Sequence, residues 1–267
     1  MAGSTSPVRH PKQKKDAALT GANSFLWAFF DSSVGAKIVV ALTGLGLVGF
    51  SAFHMIGNLK VFQGRDAING YAYFLTHSLG ALIWVARAGL LTIFALHLTL
   101  AIRLTLRSRA ARPVPYAHPG SVQATAASRT MIWSGAVVGL FVLFHLVHFT
   151  FALVHQAEVE PGKFVSYADL KDANGQHDVY SMVVFGFTTP WLAVLYIVAQ
   201  VVLFLHLLHG VQSAFQTLGL KNNRFAPAIR LAGFAVATVI LAGNLAIVIG
   251  VWSSPWTGLA PPLYKTV

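Results

Sequence analysis

The chain has no cysteine among its 267 residues. That single absence excludes disulfides, thiolate zinc sites, iron–sulfur ligation and a cysteine nucleophile. Charge is the second shortage: 10% of residues are charged, against about a quarter in a soluble domain. Acids are scarcest, eight of them against nineteen Lys and Arg and eleven His. No apolar run precedes position 24, so no cleavable signal peptide is expected, and the start, SPVRHPKQKKDAAL, reads as a solvated basic tail. What the chain has instead is hydrocarbon, 55% hydrophobic residues with a mean hydropathy of +0.64, gathered in segments.

Five stretches approach the roughly 20 apolar residues that a membrane-spanning helix needs. They lie near 37–59, 80–106, 130–155, 183–215 and 229–252. The expected fold is an all-α integral membrane protein, with SFLWAFF at 24–30 lying at the interface rather than spanning. The loops set direction. The 107–129 loop carries Arg107, Arg109 and Arg112 without an acid, and Lys221, Arg224 and Arg230 precede the fifth span. By contrast, 156–178 holds Glu158, Glu160, Asp169, Asp172 and Asp178. The positive-inside rule therefore expects the N-terminus and the basic loops in the cytoplasm and the C-terminus outside. The net charge of +11 is read as topology and lipid contact, with no nucleic-acid partner.

On that topology the intramembrane histidines fall at two depths. His54 and His145 lie late in outward-running spans, while His97 and His206 lie late in inward-running ones. At 1.5 Å per residue the two levels differ by roughly 10–20 Å. A haem iron takes two axial ligands from opposite porphyrin faces, so one histidine from each of two facing helices is the simplest holder, and a four-helix core is a usual place for it. The expectation is two stacked bis-histidine haems, with the first four spans as the haem-binding bundle and the fifth, which lacks histidine, peripheral. Depth does not choose between His145 and His148, or between His206 and His209, which are neighbours one turn apart.

A family resemblance enters here. The stretches SSVGAKIVVALTG with FHMIGNL, NGYAYFL, LIWVARAGLL with ALHLTLAIRL, SRTMIWSG with LFHLVHFTF, DVYSMVVFGFTTPW and HLLHGVQSAFQTLGL run in order through most of residues 32–220. Together they resemble the single-polypeptide, di-haem cytochrome b subunit of succinate:quinone oxidoreductases, the succinate dehydrogenases and fumarate reductases. The resemblance implies a membrane anchor in a bacterial inner membrane. It would carry a flavoprotein subunit and an iron–sulfur subunit on its cytoplasmic face and pass electrons to menaquinone or ubiquinone. It also implies that the first and third helices share one haem b and the second and fourth the other. The family's third-helix ligand follows a glycine by ten residues, which selects His145 from Gly135. Its fourth-helix ligand precedes a glycine by four, which selects His206 from Gly210. His148 and His209 are then left to hydrogen bonding between helices or with propionates.

The remaining polar groups are weaker candidates. Arg87, in the second span, is placed to meet propionates of the outer haem or to pack and snorkel. Arg129 could serve the inner haem, although a topology charge is the plainer role. Gly210 is expected to make room for the ring beside His206. Ser32, Ser33 and Lys37 could bound an inner quinone site, against a simple helix cap and boundary lysine; His77 and the acidic loop could bound an outer one. His10, His118, His155 and His177 read as solvated. Residues 1–31 form a cytoplasmic tail and interfacial segment, 32–255 the five-helix cytochrome b domain and 256–267 an external tail. A higher oligomer of the complex is compatible with this reading. So are fumarate reduction in the reverse direction, a proton-coupled transporter using a histidine relay, and an anchor that has lost its haems.

Overall fold

The structure, a computed structural model, describes residues 22–111, 129–254 and 265–266. His10, His118 and most of the outer tail at 256–267 lie outside them. Helix α1 (Ala22–Asp31) runs into α2 (Ser33–Asn58), which a short 3-10 segment extends to Gln63. Next come α3 (Arg65–Tyr73), α4 (Ala81–Ala110) and α5 (Met131–His145), the last continued by a π turn to Thr150. A hairpin of β1 (Gln156–Glu160) and β2 (Lys163–Ser166) leads to α6 (Val179–Thr188), α7 (Pro190–Thr217) and α8 (Ala226–Trp252). Among the described residues, five helices are long and apolar enough to cross a membrane: α2, α4, α5, α7 and α8.

Two expectations change and a third gains detail. The fourth span begins at Pro190, not near 183, because a proline lacks the N–H that would continue α6 and fits the first turn of a new helix. The acidic loop holds strands: β1 pairs antiparallel with β2 and with β3 (Lys265–Thr266), in the order β2-β1-β3. That pairing puts residues 265–266 at the same end of the bundle as the loop after the third span. The fifth span is also more than an attachment. A Cβ on Gly243 would collide with Met55 Sδ, so glycine lets α8 lie directly against α2, and Asn244 donates to Gln200 Oε1 of α7 at 2.9 Å.

Helix packing goes round a ring. The most extensive contact is α7 with α8; within the ring the chief contacts are α2 with α4, α2 with α7 and α5 with α7, with α4–α5 the loosest side. The pairs α2–α5 and α4–α7 therefore stand on the diagonals, and α8 covers α7 and α2 from outside the ring. Dense packing is concentrated at the end that carries the hairpin, where Tyr180, Val184, Leu192, Tyr196, Ile247 and Val251 are buried. By contrast α4 buries only Leu100, and the regular part of α5 buries no residue.

Two polar knots fix the ends. At one, Asp31 receives Arg103 and Arg107, and the same guanidinia cap α1 by donating to the Phe30 and Asp31 carbonyls at 3.0 and 2.5 Å. At the other, fully buried Asp178 accepts from Arg65 at 2.5 Å, Asn69 at 3.1 Å and the Ser181 hydroxyl at 2.6 Å. Asn69 also donates to Asp172 at 3.0 Å, tying the two loops at that end together.

Candidate functional site

The sequence patterns place the four histidines on four helices, and the ring of packing decides which of them meet. His54 of α2 and His145 of α5 come together across one diagonal, ring centroids 5.7 Å apart with planes at 89°. His97 of α4 and His206 of α7 stand on the helices of the other diagonal.

Each ring except His54 is held at Nδ1 by an oxygen of a neighbouring helix. His97 Nδ1 lies 3.3 Å from Thr43 Oγ1 and 3.1 Å from the Val40 carbonyl, both on α2. His206 Nδ1 lies 3.2 Å from Ser134 Oγ on α5. His145 Nδ1 lies 3.2 Å from Tyr196 Oη on α7. An imidazole held at Nδ1 presents Nε2 to whatever it binds, the arrangement that orients most metal-bound histidines. His54 is instead stacked on Phe50 at 5.4 Å. The residue is exposed.

Glycine makes room for the His97 and His206 rings. A Cβ on Gly44 would stand 3.0 Å from His97 Cε1, and one on Gly135 would stand 3.2 Å from His206 Cε1. Each glycine directly follows the hydroxyl residue that holds its ring: Thr43–Gly44 on α2 and Ser134–Gly135 on α5. Each helix's own histidine then follows the hydroxyl residue by 54 − 43 = 11 positions on α2 and by 145 − 134 = 11 on α5. At 1.5 Å per residue the two levels are about 16 Å apart. The hydroxyl–glycine–x9–histidine echo in spans one and three was available in the sequence, but each half alone looks like ordinary membrane-helix packing.

Gly210 does not face a histidine. Its nearest neighbour would be the Met131 methyl at 3.5 Å, an ordinary contact. Arg87 is exposed and lies over the Trp84 ring at 4.8 Å, while Arg129 is exposed at the start of α5. Ser32 is a helix cap, accepting from Gly35 N at 2.9 Å and donating to the Phe29 carbonyl; Ser33 and Lys37 are exposed beside it. His77 is exposed and stacked on Tyr73. His209 is half-buried one turn from His206.

Two histidines expected in solvent are enclosed. His155 is half-buried and its Nε2 has no partner. Burial pushes its pKa below the usual histidine value. His177 is half-buried with Nδ1 3.3 Å from the Leu170 carbonyl, and burial likewise holds its pKa down. His148 is fully buried, with Nδ1 2.9 Å from Tyr196 Oη.

The His54–His145 pair has a spacing that a haem-type cofactor would accept. No group of three or more His, Asp or Glu gathers among the described residues, so the donors come as imidazole pairs rather than as a cage for a bare ion. With metal–nitrogen distances of about 2 Å, imidazoles on opposite faces of one metal have ring centres about 6 Å apart, close to the His54–His145 separation. Comparison of the chain with protein-family models, with curated proteins and with solved structures finds no match.

Proposed function

We propose that this chain is the membrane subunit of a succinate:quinone oxidoreductase, holding two b haems between a cytoplasmic iron–sulfur subunit and membrane quinone. The observation that carries the reading is the diagonal pairing of four histidines at two levels, three of them held at Nδ1 by a neighbouring helix. Bound b haem would supply a one-electron carrier at each level. The protein's part is to hold it: His54 and His145 at the outer level, His97 and His206 at the inner, with Thr43, Ser134 and Tyr196 setting ring orientation. The apolar helices exclude water from both levels. The basic end bearing Arg109, Arg129, Lys221 and Arg224 is the proposed cytoplasmic face for the flavoprotein and iron–sulfur partners. The chain has no cysteine for a cluster, so the electrons must reach it from such a partner.

The test is a reduced-minus-oxidised spectrum of the purified complex with a haem-to-protein ratio. Two b haems per chain are expected. His206→Ala and His97→Ala should each remove the same haem, His54→Ala and His145→Ala the other, and His209→Ala neither. A complex that assembles without any b-type signal refutes the reading.

A further inference from the structure

Tyr196 sits where no membrane-helix pattern asks for a phenol. It is 3% exposed and caged by Phe141 and Phe187, whose ring centroids are each 5.0 Å away. Its hydroxyl lies 3.2 Å from His145 Nδ1 and 2.9 Å from His148 Nδ1. A phenol has one proton to donate, so it cannot donate to both rings. At most one imidazole accepts from it, and a ring that does not accept must donate to Oη.

On the reading that His145 binds a haem iron, one order of protons uses the phenol as both acceptor and donor. Nε2 of His145 must be free of its proton, so Nδ1 carries one and donates it to Tyr196 Oη. The hydroxyl then donates to His148 Nδ1, and His148 carries its proton on Nε2. The reverse order would put the proton on His145 Nε2 and abolish ligation. The His148 ring is itself firmly held. It is fully buried, stacked on Phe149 at a centroid distance of 4.0 Å, and a Cβ on Gly186 would stand 3.2 Å from its Cε1.

We propose that Tyr196 and His148 act as one positioning unit, a two-residue relay of hydrogen-bond direction that holds His145 in the tautomer able to bind metal through Nε2. This gives the histidine beside the ligand a role distinct from ligation. It also separates the two levels chemically: an aliphatic hydroxyl holds each inner ring, whereas a phenol backed by a second imidazole holds His145.

The unit predicts a potential as well as a fold. An Nδ1–H with an acceptor makes the imidazole a stronger donor and favours the ferric state. Tyr196→Phe removes the acceptor and should cost the outer site about tenfold in its preference for ferric over ferrous haem. For one electron that is a rise of about 59 mV. The experiment is a redox titration of the two b haems in the intact complex, with low-temperature spectra, for wild type, Tyr196→Phe, His148→Leu and His148→Asn. The expected result is an upward shift of the haem lost in His145→Ala by both Tyr196→Phe and His148→Leu, with the other haem unmoved. Restoration is expected in His148→Asn, whose amide oxygen can still accept from the hydroxyl. Should Tyr196→Phe fail to assemble, the two His148 variants decide the matter by themselves. An unshifted outer potential in His148→Leu overturns the unit while leaving the haem reading intact. Absence of haem from the wild type, or its retention in His145→Ala, overturns the reading itself.

Discussion

The glycine that faces His206 gives the sharpest discrimination between two accounts of the inner site. Family spacing singles out Gly210, one turn from His206; the structure singles out Gly135 on the facing helix. In Gly135→Ala the new methyl carbon would stand 3.2 Å from His206 Cε1. Carbon pairs rest at about 3.5–4.0 Å, so the ring must retreat by roughly 0.3–0.8 Å. Metal–ligand distances tolerate about 0.2 Å, so Nε2 leaves its productive position and a loss of about tenfold in site affinity, about 1.4 kcal/mol, is expected. Gly210→Ala places its methyl 3.5 Å from the mobile end of Met131, an ordinary contact, and should change nothing. Both replacements raise helix propensity by about 0.5–1 kcal/mol, so neither should weaken the helix that carries it. The assay is haem content together with the spectrum after graded detergent extraction. Loss of the inner haem in Gly210→Ala with retention in Gly135→Ala would refute the argument.

Three further outcomes are expected. Replacing buried Asp178 by Asn leaves Arg65 facing an amide and removes an acceptor from Ser181, at a cost of about 3 kcal/mol. The lower end of the range applies because the Arg65 side chain is 18% exposed, and thermal inactivation of the purified complex reads it. The Arg107 and Arg103 guanidinia beside Asp31 hold its carboxyl below the ordinary 3.8. Docking of α1 should therefore be constant above that value, fall only at lower pH, and weaken with salt. A spin label at Trp27→Cys, unique in a chain without cysteine, would follow it. His177 is held below the ordinary 6.5 by burial, so the folded outer loop disfavours its protonation. Stability should decline as pH falls from 6.5 toward the lowered value, and His177→Gln should flatten that dependence in proteolysis of the loop.

The spanning helices were legible because length and hydropathy are summed over some twenty residues and survive local irregularity. The approach of His54 and His145 was legible for a related reason: position within a span sets position along the helix axis, and an imidazole in hydrocarbon is rare enough to count. The supports were not. Thr43 and Ser134 each donate to a carbonyl of their own helix, at 2.7 and 3.0 Å, which is what hydroxyls in membrane helices do everywhere. Only the facing ring makes them part of a site. Tyr196 was silent because a tyrosine in a span reads as packing. Asp172 and Asp178 were read as charges on a loop, yet they bind Arg65 and Asn69 more than a hundred positions away, a pairing no local pattern contains. The strands were missed because a five-residue element within an acidic loop is short against the membrane pattern that dominates the chain.

The division of labour among the helices bears on how the two levels depend on one another. Helices α2 and α5 each carry an outer histidine and, eleven residues earlier, the hydroxyl–glycine step that receives an inner one. Helix α7 carries the inner His206 and, ten residues before it, the Tyr196 that receives the outer His145. A rigid slide of α7 along α5 would therefore displace a histidine at one level and a support at the other together. Such a slide is resisted at the outer end, where Tyr196, Leu192 and Ala193 are buried, and scarcely at all by α4, which buries only Leu100. The outer level is the one set by protein packing, and the inner level depends on its hydroxyls and glycines. Substitutions at Thr43, Gly44, Ser134 and Gly135 should accordingly affect the inner site alone, while loosening of the α6–α7–α8 packing should reach both.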